Sequence, residues 1–167
     1  AAEVGQRYIV VPIIADSERS ADDYKRHAET LNHAGEMTRA AGIKMAYHNH
    51  GFEFDRTGNR AHYDILLEET EPDLVDFELD LYWIANAGVD PMTYLVNHPG
   101  RFSMLHVKDR DQFGRMASVG SGTINFTKIF AQADTAGFEH FFIEHDNPGD
   151  GFASIASSIY TLRNLQF

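Results

Sequence analysis

Apolar, β-branched runs alternate with stretches of helical periodicity along the whole chain. Tyr8 to Ile14 (YIVVPII) is a continuous apolar run, the pattern of a strand buried on both faces. Asp22 and Asp23 favour a helix N-terminus, and the helical pattern that follows extends to about Ala41, with Gly42 as its stop. Ile43 to His50 (IKMAYHNH) reads as the next strand, and a loop with Gly51, Gly58 and Asn59 leads to a short helix near His62 to Glu69. Leu74 to Asp80 (LVDFELD) is a third strand. Asp90-Pro91 starts a helix, with Asp as cap and Pro in the first turn. Phe102 to Lys108 (FSMLHVK) is a fourth strand and Gly114 to Gly122 a loop. Asn125 caps a helix from Phe126 to Ala136 that stops at Gly137. Phe141 to Glu144 (FFIE) is a fifth strand, and Phe152 to Leu165 a last amphipathic helix.

Helices between successive strands imply a parallel sheet. The fold class expected is α/β, a (β/α) TIM-barrel-type parallel sheet. A complete barrel needs eight units and roughly 250 residues. The 167 residues hold about five, so a partial barrel lacking its first strands is expected, with residues 1–167 as the C-terminal portion of a single barrel domain. An open doubly wound sheet, complete in itself, is the alternative.

Composition narrows the chemistry. Hydrophobic residues make up 43% of the chain, enough for a packed core. The net charge of −11 argues against nucleic-acid and anionic-membrane partners that bind through phosphate. There is no cysteine, which removes disulfides, zinc–thiolate sites and thiol nucleophiles. No apolar run is long enough to span a membrane. The pattern leaves cytoplasm and periplasm open, since any leader would lie upstream. A small-molecule substrate is the expected partner, and a homo-oligomer is left open.

Four strands end in residue types that bind metals: His48-Asn49-His50, Glu78-Leu79-Asp80, His106-Val107-Lys108-Asp109 and Glu144-His145-Asp146. In a parallel barrel every strand C-terminus opens on the face that carries the active site. Asp80 follows His48 by 32 residues, His106 follows Asp80 by 26, and Glu144 follows His106 by 38. The mean barrel unit is ~31 residues, so a ligand type recurs about once per unit. Strand alternation puts His48 with His50, Glu78 with Asp80, and His106 with Lys108 on shared faces. Mixed imidazole and carboxylate ligands suit manganese, zinc, cobalt or iron better than calcium. Such a metal would bind two oxygens of a hydroxy-ketone and stabilise the enediolate formed on proton removal. Each residue alone has a structural explanation: a hydrogen-bonded histidine, Asp80 as a helix cap, Glu144 paired with an arginine, Lys108 paired with Asp109 or Glu78. The coincidence of four clusters at four strand ends favours a metal site.

The segments YHNHGFEF (47–54), FELDLYWIANAGVDP (77–91), LHVKD (105–109), VGSGTINF (119–126) and FFIEHDNP (141–148) resemble the sugar phosphate isomerase/epimerase family, the xylose isomerase-like barrels. The resemblance implies a divalent metal held by Glu, Asp, His and Glu on successive strands. By position, the last three fall on Asp80, His106 and Glu144, whereas the first falls near His48. That departure puts a symmetrical two-glutamate proton transfer in doubt and leaves Glu144 as one base, with His48, His50 or Lys108 as its partner. Glu53, past the strand end, is the alternative first ligand. Trp83 falls where some epimerases place a substrate-binding histidine. The substrate contacts expected are His50, Trp83 and Phe52, with Phe54 and Tyr82 as further pocket walls and Arg110 for an anionic group. The implied function is isomerisation or epimerisation of a sugar or keto-sugar through an enediolate. The alternatives are a metal-dependent lyase or hydrolase of sugar derivatives, or a barrel fragment inactive by itself. Abasic-site nuclease chemistry, also found in the family, is disfavoured by the negative charge.

Overall fold

The computed structural model describes residues 1–167. In chain order the strands and helices are β1 (Tyr8–Val11), α1 (Ala21–Arg39), β2 (Lys44–His48), β3 (Arg56–Thr57), β4 (Arg60–Ala61), α2 (His62–Glu69), β5 (Val75–Asp80), α3 (Leu81–Asn86) and α4 (Pro91–Asn97). They continue with β6 (Met104–Val107), β7 (Asp109–Arg110), β8 (Met116–Ala117), α5 (Phe126–Phe130), α6 (Ala133–Ala136), β9 (His140–Ile143) and α7 (Gly151–Arg163). The five main strands are ordered β1-β2-β5-β6-β9. That order follows the chain without reversing direction, so there is no switch point of the kind that defines a doubly wound sheet. The parallel, barrel-type reading therefore holds and the open-sheet alternative does not.

By compactness the chain divides into two units, Ala1–Glu78 and Leu79–Phe167, with the boundary inside β5. In the first unit β2 pairs in parallel with β1 on one side and β5 on the other. His48 lies in register with Glu78, and Tyr47 with Phe77. Alternation gives these strands two different faces. Met45, Tyr47, Val75 and Phe77 are buried and apolar, and Phe77 meets Tyr63 of α2 edge-on at 5.5 Å. Lys44, His48, Asp76 and Glu78 make the other face polar, with Lys44 Nζ 2.7 Å from Asp76 Oδ1. Helix α1 starts at a capping box in which the Ser20 hydroxyl accepts the Asp23 N–H and the Asp23 carboxylate accepts the Ser20 N–H. It crosses closely over Leu74: a Cβ on Gly35 would come within 2.8 Å of the Leu74 side chain.

The second unit repeats the scheme. Leu105 and Val107 are fully buried, each contributing about 1.5–3 kcal/mol by the usual measure for a buried aliphatic side chain. β6 pairs in parallel with β9, bringing His106 into register with Phe142. Phe141, on the opposite face of β9, packs against Phe130 of α5 at 5.1 Å. Asp90, Asn125 and Asp150 cap α4, α5 and α7 with their side chains. Gly137 ends α6 in the left-handed region at φ 86°, which only glycine adopts without cost.

Several boundaries differ from the sequence pattern. β1 stops at Val11, because Pro12 has no N–H to continue the ladder. β1 is also not buried on both faces: Ile9 is exposed, as expected at one end of the strand order. The helix expected from Phe126 to Ala136 breaks at Ala131–Gln132 into α5 and α6. The hairpins β3–β4 and β7–β8 lie in stretches whose two-residue strands are too short to leave a periodic signal.

Candidate active site

Asp80, His106, Lys108, Glu144 and Asp146 meet within the second unit. Asp80 is the last residue of β5, fully buried, and it does two jobs. Its Oδ1 accepts the Trp83 N–H at 2.9 Å, capping α3. Its Oδ2 lies 3.1 Å from Lys108 Nζ and 3.6 Å from His106 Nδ1. The helix-cap reading of Asp80 and the metal-ligand reading are therefore compatible, because they use different oxygens. Glu144 follows β9 directly, and its Oε2 is 2.8 Å from both His106 Nδ1 and Lys108 Nζ. Asp146 completes the cluster, with Oδ1 2.9 Å from Lys108 Nζ. Lys108 is 4% exposed and Asp80 0%, whereas Glu144 is 45% exposed and thus the carboxylate most open to a ligand.

Burial opposes the charge on Lys108. The carboxylates of Asp80, Glu144 and Asp146 outweigh that effect, and they hold the ammonium well above the usual lysine range. Lys108 is thus a fixed cation here. One ammonium faces three carboxylates, which leaves two negative charges in excess while His106 is neutral. Carboxylate oxygens converging with an imidazole nitrogen, and short of two positive charges, fit a divalent cation.

The first unit carries His48, His50, Phe52 and Glu53. His48 Nδ1 is 3.1 Å from the Pro12 carbonyl oxygen. A carbonyl only accepts, so Nδ1 is the donor in this contact. This is the arrangement by which a backbone carbonyl orients a metal-binding histidine. His50 stacks on Phe52 at 5.5 Å with planes 8° apart, and the Arg19 guanidinium lies over the Phe52 ring, 3.3 Å from its centre. Glu53 is fully buried. Its Oε1 accepts the Tyr47 hydroxyl at 2.6 Å and its Oε2 accepts the His50 N–H at 2.8 Å. Burial pushes its carboxyl up to about 6, partly offset by those hydrogen bonds. Both oxygens are committed to holding the loop after β2.

Arg110 stands apart from the Lys108 cluster in its contacts. Its Nε donates to Asn86 Oδ1 at 3.1 Å, and it lines a cleft of about 340 Å³ with Asp90, Asn125 and Lys128. The neighbouring Asp109 is buried and accepts the backbone N–H groups of Arg110, Gly120, Gly122 and Ile124 at 2.8–3.2 Å. It fixes the loop from residue 118 to 124. Sequence reasoning missed this clamp and the contact of Asp146 with Lys108. The second was signalled by alternation, since Asp146 follows Glu144 by two residues.

A family model, the xylose isomerase-like TIM barrel, matches residues 1–165. A solved sugar phosphate isomerase/epimerase from Parabacteroides distasonis is 34% identical, with a TM-score of 0.84 over 97% of this chain and 59% of that one. The inosose dehydratase of Lacticaseibacillus casei is 27% identical over 141 residues, 73% of this chain and 46% of that protein. The chain thus spans about half the length of the curated relatives it matches. A solved IolI protein with a bound zinc atom shares the fold, at 15% identity and a TM-score of 0.73 over 98% of this chain and 64% of that one. No helix is long and apolar enough to cross a membrane.

Proposed function

The chain belongs to the xylose isomerase-like TIM-barrel family, and from that premise we propose that it removes the proton α to the carbonyl of a sugar or keto-sugar and returns it as an isomerase or epimerase. The observation that carries this reading is the convergence of Asp80, His106 and Glu144 around Lys108. Asp80, His106 and Glu144 would hold a divalent cation (manganese, zinc, cobalt or iron), which would supply Lewis-acid polarisation of the substrate carbonyl. A zinc-bound protein of the same fold supports a metal in this family. Glu144, the half-exposed carboxylate, takes the proton. Lys108, a permanent cation, stabilises the negative charge that develops on the enediolate oxygens. Asp80 is kept rigid by its bond to the Trp83 N–H. Trp83 contacts the substrate, and Arg110 offers it a further hydrogen-bond donor.

A second reading is elimination, in which Glu144 takes the same proton, the β C–O bond breaks, and the protonated Glu144 returns that proton to the departing oxygen so that it leaves as water. It is favoured by the inosose dehydratases among the relatives, since elimination needs one well-placed base and Glu144 is the most exposed carboxylate of the cluster. One experiment decides between them and tests both. The full-length protein is incubated in D2O with keto-sugars and keto-inositols, with and without added divalent metal. Deuterium at the carbon next to the carbonyl in an isomer or epimer supports the first reading, and loss of water supports the second. Neither product with metal present, or unchanged turnover by His106→Ala, sinks the proton-abstraction chemistry altogether.

A further inference from the structure

Beside the Lys108 cluster the second unit opens a cleft of about 610 Å³, within the usual range for small-molecule sites. It is walled by Tyr82 and Trp83 of α3, by Asp111 and Arg115 of the β7–β8 hairpin, and by His145 and Asn147 after β9. Two residues join it to the reacting centre. Asp146 lines the cleft while its Oδ1 touches Lys108, and Trp83 lines it while its backbone N–H holds Asp80. A substrate gripped at Lys108 and Glu144 therefore has room to extend on this side.

The lining states what would fit there. Tyr82 and Trp83 stand edge-to-face, 5.0 Å apart at 74°, and Tyr82 is pinned by its hydroxyl to the Gly114 carbonyl at 3.0 Å. Such aromatic surfaces, apolar in body and polar at the tip, suit the C–H faces of a sugar ring. The His145 ring is fixed by a 2.9 Å contact between Nδ1 and Ser154 Oγ, and Ser154 is in turn 2.9 Å from Ser118 Oγ. The Asn147 amide offers both a donor and an acceptor. The charges favour a neutral group over a phosphate. Arg115 is the cation of the lining, and Asp111 Oδ2 already takes its Nε at 2.9 Å and its Nη2 at 2.8 Å. Asp146 adds a further negative charge.

We propose that this cleft is a second sugar subsite, occupied by a neutral glycosyl unit attached to the reacting one, so that the substrate is an uncharged glycoside and not a sugar phosphate. The proposal rests on the sugar-enzyme reading above but is tested without turnover. Trp83 is the single tryptophan of the chain, so its emission reports the cleft directly. The chain is titrated with cellobiose, glucose and glucose 6-phosphate. Cellobiose is expected to change the emission with a Kd at least tenfold below that of glucose, and glucose 6-phosphate to bind no more tightly than glucose. Asn147→Ala should weaken cellobiose at least fivefold and leave glucose unchanged. Asp111→Asn, which releases Arg115, should strengthen glucose 6-phosphate severalfold. Equal binding of cellobiose and glucose, no emission change with any of the three, or tightest binding of the phosphate overturns the proposal. Failed deuterium exchange with normal cellobiose binding would instead break the chemical reading and leave the subsite standing.

Discussion

Glu53 and Glu144 both stand just past the end of a parallel strand, each in a segment with histidine nearby, and the fold uses them in opposite ways. Glu53 has no exposed surface, and its two oxygens are taken by the Tyr47 hydroxyl and the His50 N–H. Glu144 is 45% exposed, with one oxygen shared between Lys108 and His106. A carboxylate with both oxygens spent on its own loop is a structural brace. One that is half open and sits beside a fixed cation is available to a ligand. Residue type is the same in both, so the difference comes entirely from burial and from the partners that tertiary packing brings.

The largest test of that contrast is on activity. Glu144→Gln should lower turnover of the full-length protein by about 10²–10⁴-fold, the usual contribution of a general base, while Glu53→Gln should change kcat by less than about tenfold. Equal losses from both would erase the distinction. A second test acts on the cation that makes the Glu144 side special. Lys108→Met leaves three carboxylates facing each other and should destabilise the metal-free chain by about 3 kcal/mol, near the low end for a broken buried ion pair. Denaturant unfolding should show a loss that added manganese or zinc partly reverses. Indifference to metal would count against a cation site among these carboxylates.

The third test sharpens the Glu53 side through pH. Its folded pKa is raised from 4.5 to about 6, so the folded state binds the proton more tightly than the unfolded state. The stability from this group is present below about pH 4.5 and is lost as pH rises through 6, a change of about 2 kcal/mol at the conversion of 1.36 kcal/mol per pKa unit. Glu53→Gln should flatten the stability profile between pH 4.5 and 6.5, measured by urea unfolding. The last test concerns another buried carboxylate that braces a loop, Asp109. A Cβ on Gly122 would lie 2.3 Å from Asp109 Oδ1. Gly122→Ala should therefore cost about 1–3 kcal/mol, as for overpacking elsewhere, and loosen the 118–124 loop in hydrogen exchange.

Much of this was legible in the chain itself. Alternating strand and helix signals, the parallel sheet, the approximate strand positions and the grouping of Asp80, His106, Lys108 and Glu144 follow from periodicities of two and 3.6 and from the recurrence of polar types at strand ends. Those properties are local, or repeat at a fixed interval, so sequence carries them. Tertiary structure alone decided that Glu53 is sealed under Tyr47, that Asp146 joins the Lys108 cluster and that Asp109 gathers the loop from Gly120 to Ile124. It also decided that Arg115 is neutralised by Asp111 at the edge of an open cleft. Charge state, exposure and hydrogen-bond partner are set by which groups lie within a few ångströms in space, and the order of residues along the chain does not specify those distances.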